Sequence, residues 1–411
     1  MHELSIGQLS GIIASSSQIL EGASLKLLPS TTQAEEVDDA KKTLLDACRC
    51  MIRTASGPTE VLKEMALIDR HNLSTLRVIN HYRIFDLVPE EDSVSIKEVA
   101  ANCGLPKDLL CRILRQAMSY GAFTEPELDH VAHTTLSKAM ARMSPLLSYQ
   151  LEVCLPSSLR LLDWLGAKDR GMRSPFQIAH DTTKNWWDFA EANPDLLHNY
   201  GQYMALITSG GPHDVSHVVS GYHWGDLGQD AIVVDVGGAD GFVGIRLAEE
   251  FSNLTVLIQD NEHLKERADA SIPEALLSRV VFMPHSFFEP QGSLARQADV
   301  FLLRHILHDW DDNSCIVILR LLAASLKPGA SIVIAEQILP LPGSLDKTTE
   351  RVMRALDLQM MTQFGSCERT AVDWEKLFIA ADPTLKVVRV VQPSGSADTL
   401  MEVKKIGADK N

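Results

Sequence analysis

The chain of 411 residues has no two cysteines at CxxC spacing. Its seven, Cys48, Cys50, Cys103, Cys111, Cys154, Cys315 and Cys367, are odd in number and scattered. That pattern supports neither a disulfide framework nor a zinc cluster, so reduced thiols, a cytoplasmic setting and no metal are expected. No apolar run approaches the ~18 residues of a membrane span. The first residues show no basic segment leading into an apolar one, so no secretory leader is expected. Basic residues are in the minority, 38 Lys and Arg against 54 Asp and Glu, for a net charge of -16. Such a balance lacks the cationic footprint that nucleic-acid phosphates or an anionic membrane surface require. Internal repeats and low-complexity tracts are missing too. What is present, 45% apolar and 22% charged residues, is ordinary globular composition and excludes a fibre, a collagen or a disordered chain. The length fits two or three domains.

Three stretches differ in grammar. Residues 1–145 begin with an amphipathic helical arm, in which Leu4, Ile6, Leu9, Ile12, Ile13 and Ile19 recur at helical spacing. From Leu44 the pattern becomes short helices. Ser95 is placed to cap one of them, with Glu98 three residues on. The run Lys107–Tyr120 puts Leu109, Leu110, Ile113, Leu114 and Ala117 on one face. Strands at 121–125 and 130–134 would make a hairpin after it. Helix, turn, helix and hairpin suggest a winged helix. Lys107, Arg112 and Arg115 are its few basic residues, so a dimerising role fits better than DNA reading. His133 in the hairpin reads as structural. Residues 146–225 are helical and aromatic-rich, a connector that would also roof a pocket. Residues 226–411 alternate strands (231–236, 255–259, 280–283, 299–303, 331–336) with helices (242–251 and 315–326 the clearest). They end in an antiparallel pair, 385–392 and 399–404. This is the pattern of a doubly wound α/β sheet.

The first of these strands runs into Asp235-Val236-Gly237-Gly238-Ala239-Asp240-Gly241. Glycines there permit a tight turn and a close backbone approach to a ligand. The spacing is not GxGxxG, so a pyrophosphate cradle is not indicated. Asp260 closes the next strand, where a carboxylate can accept two ribose hydroxyls. Together these suit a nucleoside without phosphates. Farther on, Arg304-His305-Ile306-Leu307-His308-Asp309-Trp310 sets His308 beyond a strand end. Glu336 closes a later strand, and Glu368 follows in Gly365-Ser366-Cys367-Glu368. An imidazole flanked by two carboxylates has the makings of a general base whose tautomer its acidic neighbours fix.

With these residues in place, the chain resembles, over nearly its whole length, the class I S-adenosylmethionine-dependent O-methyltransferases of the caffeic-acid or hydroxyindole type. It is most similar to the fungal branch acting on polyketide phenols. The resemblance implies a Rossmann-like methyltransferase domain preceded by a helical, winged-helix dimerisation domain, and a homodimer. It implies that Gly237, Gly238 and Asp260 hold S-adenosylmethionine, and that His308 is the base, with Glu336 and Glu368 beside it. The intervals of 28 and 32 residues between these three agree with the family pattern. Where the family usually has Gly-Asp-Met-Phe, this chain has His285-Ser286-Phe287-Phe288. Ser286 and Phe287 are then expected to hydrogen-bond and stack on the adenine. Arg304 stands for the usual Lys as a more rigid donor. Met360 falls on a family pocket position, and Met204 and Phe364, from the stretches 150–210 and 355–365, are taken with it as substrate contacts.

The implied reaction is methylation of a phenolic or enolic hydroxyl of a small secondary metabolite, without metal, nucleic acid or membrane. A second reading is an enzyme of the same fold that binds S-adenosylmethionine but performs a dehydration or pericyclic cyclisation. Such members tend to lose the base and its carboxylates, which are kept here. A third, a winged-helix DNA-binding regulator, is disfavoured by the charge balance.

Overall fold

A computed structural model of the chain describes residues 4–24, 31–167 and 173–407. It divides into two units, one of residues 1–163, 176–206 and 345–351, the other of 164–175, 207–344 and 352–411. The aromatic-rich stretch 146–225 is thus shared between them. Residues 25–30 of the expected arm lie outside the described residues.

In the first unit the arm consists of helices α1 (Ile6–Ser24) and α2 (Thr31–Lys63). The second is far longer than the short helices expected after Leu44. It kinks at Gly57, whose φ of 71° leaves the helical region just before Pro58, where a ring on nitrogen cannot continue the ladder. Helices α3 (Asp69–His81), α4 (Ile96–Cys103), α5 (Lys107–Ser119) and α6 (Thr135–Tyr149) follow. They enclose a core that includes Ile79, Phe85, Ile96, Val99, Leu110, Leu114 and Val131. Ser95 caps α4 as expected, its Oγ accepting from Glu98 N. The expected hairpin is present as β2 (Phe123–Thr124) and β3 (His130–His133). A strand that periodicity missed, β1 (Ser93–Ser95), pairs antiparallel with β3 and completes a sheet of order β1-β3-β2. Three residues are too few to show alternation. Lys107 and Arg115 of α5 are tied to Asp129 and Glu125, so two of its three basic side chains are already neutralised. His133 bonds Ser137 Oγ through Nδ1 and Val88 O through Nε2, as a structural histidine does.

The second unit is built on a seven-stranded sheet of order β6-β5-β4-β7-β8-β10-β9. The strands are β4 (Ala231–Val236), β5 (Leu254–Asp260), β6 (Val280–Pro284), β7 (Val300–Arg304), β8 (Ser331–Glu336), β9 (Leu385–Val391) and β10 (Thr399–Lys405). All neighbours are parallel except β10, which runs antiparallel to β8 and β9. Successive residues of a strand face opposite sides, and both sides are buried. Val233, Val256, Ile258, Leu302 and Val333 pack with Leu247 of helix α7 (Phe242–Glu250) on one. Val234, Leu257, Phe301, Leu303 and Ile334 pack on the other with Leu319 of α8 (Asp312–Ser325) and Trp374 of α10 (Ala371–Ala381). Two buried faces explain the unbroken apolar runs in the sequence. Helix α8 starts three residues before the expected boundary because Asp311 Oδ1 caps it through Ser314 N. Helix α9 (Lys347–Phe364) belongs to this unit from residue 352 onward. The strand order reverses between β4 and β7, and ligands of open α/β sheets bind beside such a reversal.

Candidate active site

Beyond β4 the chain turns through Gly237, Ala239 and Gly241, with φ of 71°, 48° and 81°. At Gly237 a Cβ would come within 2.5 Å of Ile306 Cδ1, and Phe287 Cε1 lies at 3.8 Å from the same point. Glycine is therefore required at 237 by conformation and by space. Ala239 holds a left-handed backbone without being glycine, a strain that the Asp260 carboxylate offsets: Oδ2 accepts Ala239 N at 2.9 Å, and Oδ1 accepts Asn261 N at 2.7 Å. Each oxygen keeps a second lone pair, so Asp260 remains able to receive a diol. Burial raises its pKa, and a pair of hydroxyl donors would stabilise the carboxylate. These residues fit a ribose.

Ser286 and Phe287 follow β6. Ser286 Oγ accepts Phe288 N at 3.3 Å, and Phe287 meets Trp310 edge-on with 5.7 Å between ring centroids. Phe287 thus stands between the glycine loop and the turn that carries the histidine. Arg304, 8% exposed, donates to His213 O, lies 3.8 Å from Asp398 and stands over the Phe242 ring. Its Nε has no hydrogen-bond partner among the described residues.

From Arg304 the chain leaves β7 through His305, again left-handed (φ 52°), into the turn Leu307–Asp309. Glu336, fully buried at the end of β8, holds this turn: Oε1 accepts Ile306 N at 2.9 Å and Leu307 N at 2.8 Å. Arg369, 2% exposed, grips the turn's other side by donating to Leu307 O and Trp310 O, each at 2.8 Å. Ser366 Oγ donates to His308 O. A turn fixed at so many points gives His308 a defined direction.

The structure brings His308, Glu336 and Glu368 together. His308 Nδ1 lies 2.9 Å from Glu368 Oε1 and 3.5 Å from Glu336 Oε2. Both carboxylates therefore stand at the same nitrogen rather than on opposite sides of the ring. Glu368 is the direct partner, and Glu336 chiefly caps the turn. Asp309, which sequence reasoning passed over, faces Nε2 at 3.5 Å. Its adjacency to His308 was the available signal. Arg369 was missed as well, since nothing in the sequence says that a charged residue after Glu368 is buried.

Burial opposes the imidazolium at His308, but Glu336, Asp309 and Glu368 outweigh it, and the group titrates well above an ordinary histidine. Burial pushes Glu336 and Asp309 up to about 7 each, against the pull of the His308 charge. With Nδ1 committed to Glu368, Nε2 is the ring nitrogen left to exchange a proton with a ligand, and Asp309 stands 3.5 Å from it. Donor atoms of His308, Glu336 and Glu368 also lie within 4.8 Å of one another, as do those of His213, His305 and Asp398, spacings at which a metal could be held. Met360 is buried on α9, and its carbonyl accepts from Ser366 N, beside the histidine turn. Phe364 is the last residue of that helix. Met204 lies in the first unit, on the helix Pro194–Thr208.

Residues 186–382 match the family model of an O-methyltransferase domain. The O-methyltransferase aoiO of Aspergillus oryzae is 56% identical over 96% of this chain and 99% of its own. The O-methyltransferase VdtC of Byssochlamys spectabilis is 33% identical over 92% and 88%. Among solved structures, OxaC superposes with a TM-score of 0.82 at 21% identity, covering 98% of this chain and 99% of its own. LepI in complex with SAM gives 0.76 at 22%, covering 97% and 100%. At these identities the two structures establish a shared fold.

Proposed function

The chain belongs to the S-adenosylmethionine-dependent O-methyltransferase family, and from that premise we propose that it methylates a phenolic or enolic hydroxyl of an aromatic polyketide, with His308 as general base. The observation that carries the reading is the 2.9 Å pairing of His308 Nδ1 with Glu368, which leaves Nε2 to take a proton. The cofactor supplies an activated methyl group on a sulfonium. Gly237, Gly238 and Asp260 would hold its methionine and ribose portions and Ser286 and Phe287 its adenine, with Arg304 as a further donor to it.

Nε2 would take the hydroxyl proton as the hydroxyl oxygen bonds to the methyl that the cofactor would supply, the S–CH3 bond breaking to release S-adenosylhomocysteine. An ordinary imidazole near 6.5 and a phenol near 10 differ by about 3.5 units, or roughly 5 kcal/mol for complete transfer. The carboxylates that raise His308 narrow that gap. Met360 and Phe364 are assigned to the substrate pocket. The base reading gives no step to a metal, so turnover should be insensitive to a chelator. Loss of activity in EDTA, restored by a divalent ion, would overturn that assignment.

A homodimer through the first unit is part of the same reading. It is supported by apolar side chains exposed along the arm and beyond it, among them Ile52, Leu62, Met65 and Leu67. The chain is assigned to the cytoplasm. Among the described residues no helix is long and apolar enough to cross a membrane.

The test is incubation with methyl-labelled S-adenosylmethionine and a panel of phenolic polyketides. Label on oxygen supports the reading, whereas an unlabelled, isomerised product moves it to dehydration or pericyclic chemistry. His308→Gln is expected to lose at least a hundredfold in turnover while binding S-adenosylhomocysteine within a few-fold of the wild type. Normal turnover in that variant would sink the assignment.

A further inference from the structure

A second imidazole stands beside the base. The His305 ring is stacked on His308, with centroids 5.5 Å apart and planes 26° from parallel. Its Nε2 lies 2.8 Å from Asp398 Oδ2, off the line of a well-formed hydrogen bond. Asp398 comes from far along the chain, immediately before β10, and is 2% exposed. It is brought here because Thr399 of β10 is registered opposite Glu336 of β8. One pairing therefore places both the carboxylate that holds the histidine turn and the carboxylate that holds His305. The His305 backbone, at φ 52°, adopts a conformation that costs a bulky residue about 1 kcal/mol or more and survives only where surroundings impose it.

The groups facing His305 are Asp398 before β10, Arg304 on its own strand, His308 on the turn and His213, whose ring meets it edge-on at 5.4 Å. Burial dominates and keeps His305 neutral, pushing its pKa down to about 4. Asp398 already has a cationic neighbour in Arg304, 3.8 Å away, which weighs against a divalent ion among His213, His305 and Asp398.

We propose that His305 is a positioning residue: its ring, anchored by Asp398, fixes the plane of the His308 imidazole so that Nε2 points along the path of the substrate proton. This rests on His308 being the base. A neutral ring does so without adding a second positive charge next to a sulfonium cofactor.

His305→Asn removes the ring while keeping a side chain that tolerates left-handed backbone. It should lower kcat about tenfold to a hundredfold, the scale of a misplacement near 1 Å. KM, S-adenosylhomocysteine affinity and the inflection of the pH–rate profile should stay unchanged. His305→Phe should recover most of the loss, because it restores a ring against His308. Asp398→Asn should lower kcat on the wild-type background and add nothing on the His305→Asn background, since coupled residues are non-additive. Wild-type kcat in His305→Asn, a loss confined to KM or cofactor affinity, or strictly additive variants would each overturn the proposal. So would Zn(II) that changes wild-type turnover but leaves Asp398→Asn unaffected, because the three donors would then be a metal site. His308→Gln is run alongside: if it turns over normally, the base reading fails, whereas a dead His308→Gln with a normal His305→Asn removes only the positioning role.

Discussion

On the proposal that His308 is the base, Glu368 separates charge from shape. Replacing it with Gln keeps an acceptor for His308 Nδ1 but removes one of the negative charges that raise the imidazole. The sign follows from which form reacts. Nε2 accepts a proton only when the ring is neutral, so the active fraction of the wild type grows as pH rises through the raised His308 pKa. In Glu368→Gln that pKa falls toward the ordinary value near 6.5. The rising limb of kcat/KM against pH should therefore move to lower pH, and the plateau should drop about tenfold to a hundredfold, because a weaker base drives transfer less. A limb that stays in place, or moves to higher pH, would show that Glu368 does not tune this group.

At the scale of elements, the candidate site is two turns leaving neighbouring parallel strands, each carrying left-handed residues. The turn after β4 depends on Gly237, where φ is 71° and a Cβ would meet Ile306 Cδ1 at 2.5 Å. Gly237→Ala is expected to cost about 1–2 kcal/mol from the backbone alone, a Tm lower by several degrees for a domain of this size. Ile306 immediately precedes the histidine turn, so the displacement should also reduce turnover. Unchanged calorimetric Tm and activity would mean that the loop relaxes freely. The turn after β7 is held from outside by Glu336 and Arg369, whose bonds go to backbone groups. A glutamate that first appears as half of a catalytic flank is thereby also part of the scaffold.

For the whole molecule, the last strands are not an appendage. β10 lies between β8 and β9, with residues 399–403 paired against β8 and Leu400, Met401 and Val403 buried. Ending the chain after Val391 should leave β8 with an open edge and strip apolar residues from both cores, giving a species that aggregates in size-exclusion chromatography and lacks a cooperative melt. A soluble, cooperatively folding truncation would contradict this. The net charge of -16 acts at the same scale: a DNA fragment should show no gel shift even at low salt. Light scattering of the intact chain tests the dimer, with a monomeric mass at micromolar concentration counting against it.

Local pattern alone determined the doubly wound second half, because strands buried on both faces must be continuous apolar runs and helices between them must be amphipathic. It also determined the glycine loop, Asp260, His308 and Glu336, since strand ends on one edge of a parallel sheet converge whatever the details of packing; Glu368, in the loop between α9 and α10, reaches His308 by packing rather than from a strand end. Tertiary structure decided the rest. Which nitrogen the two glutamates face depends on the angle of a turn that Arg369 and Glu336 set from distant parts of the chain. Strand β1 exists only through its pairing with β3. Asp398 reaches His305 only because β10 inserts antiparallel beside β8, a register fixed by the burial of Leu400, Met401 and Val403. Spacing along a chain records which groups share an edge, whereas the direction in which each side chain points is an outcome of packing, and packing is non-local.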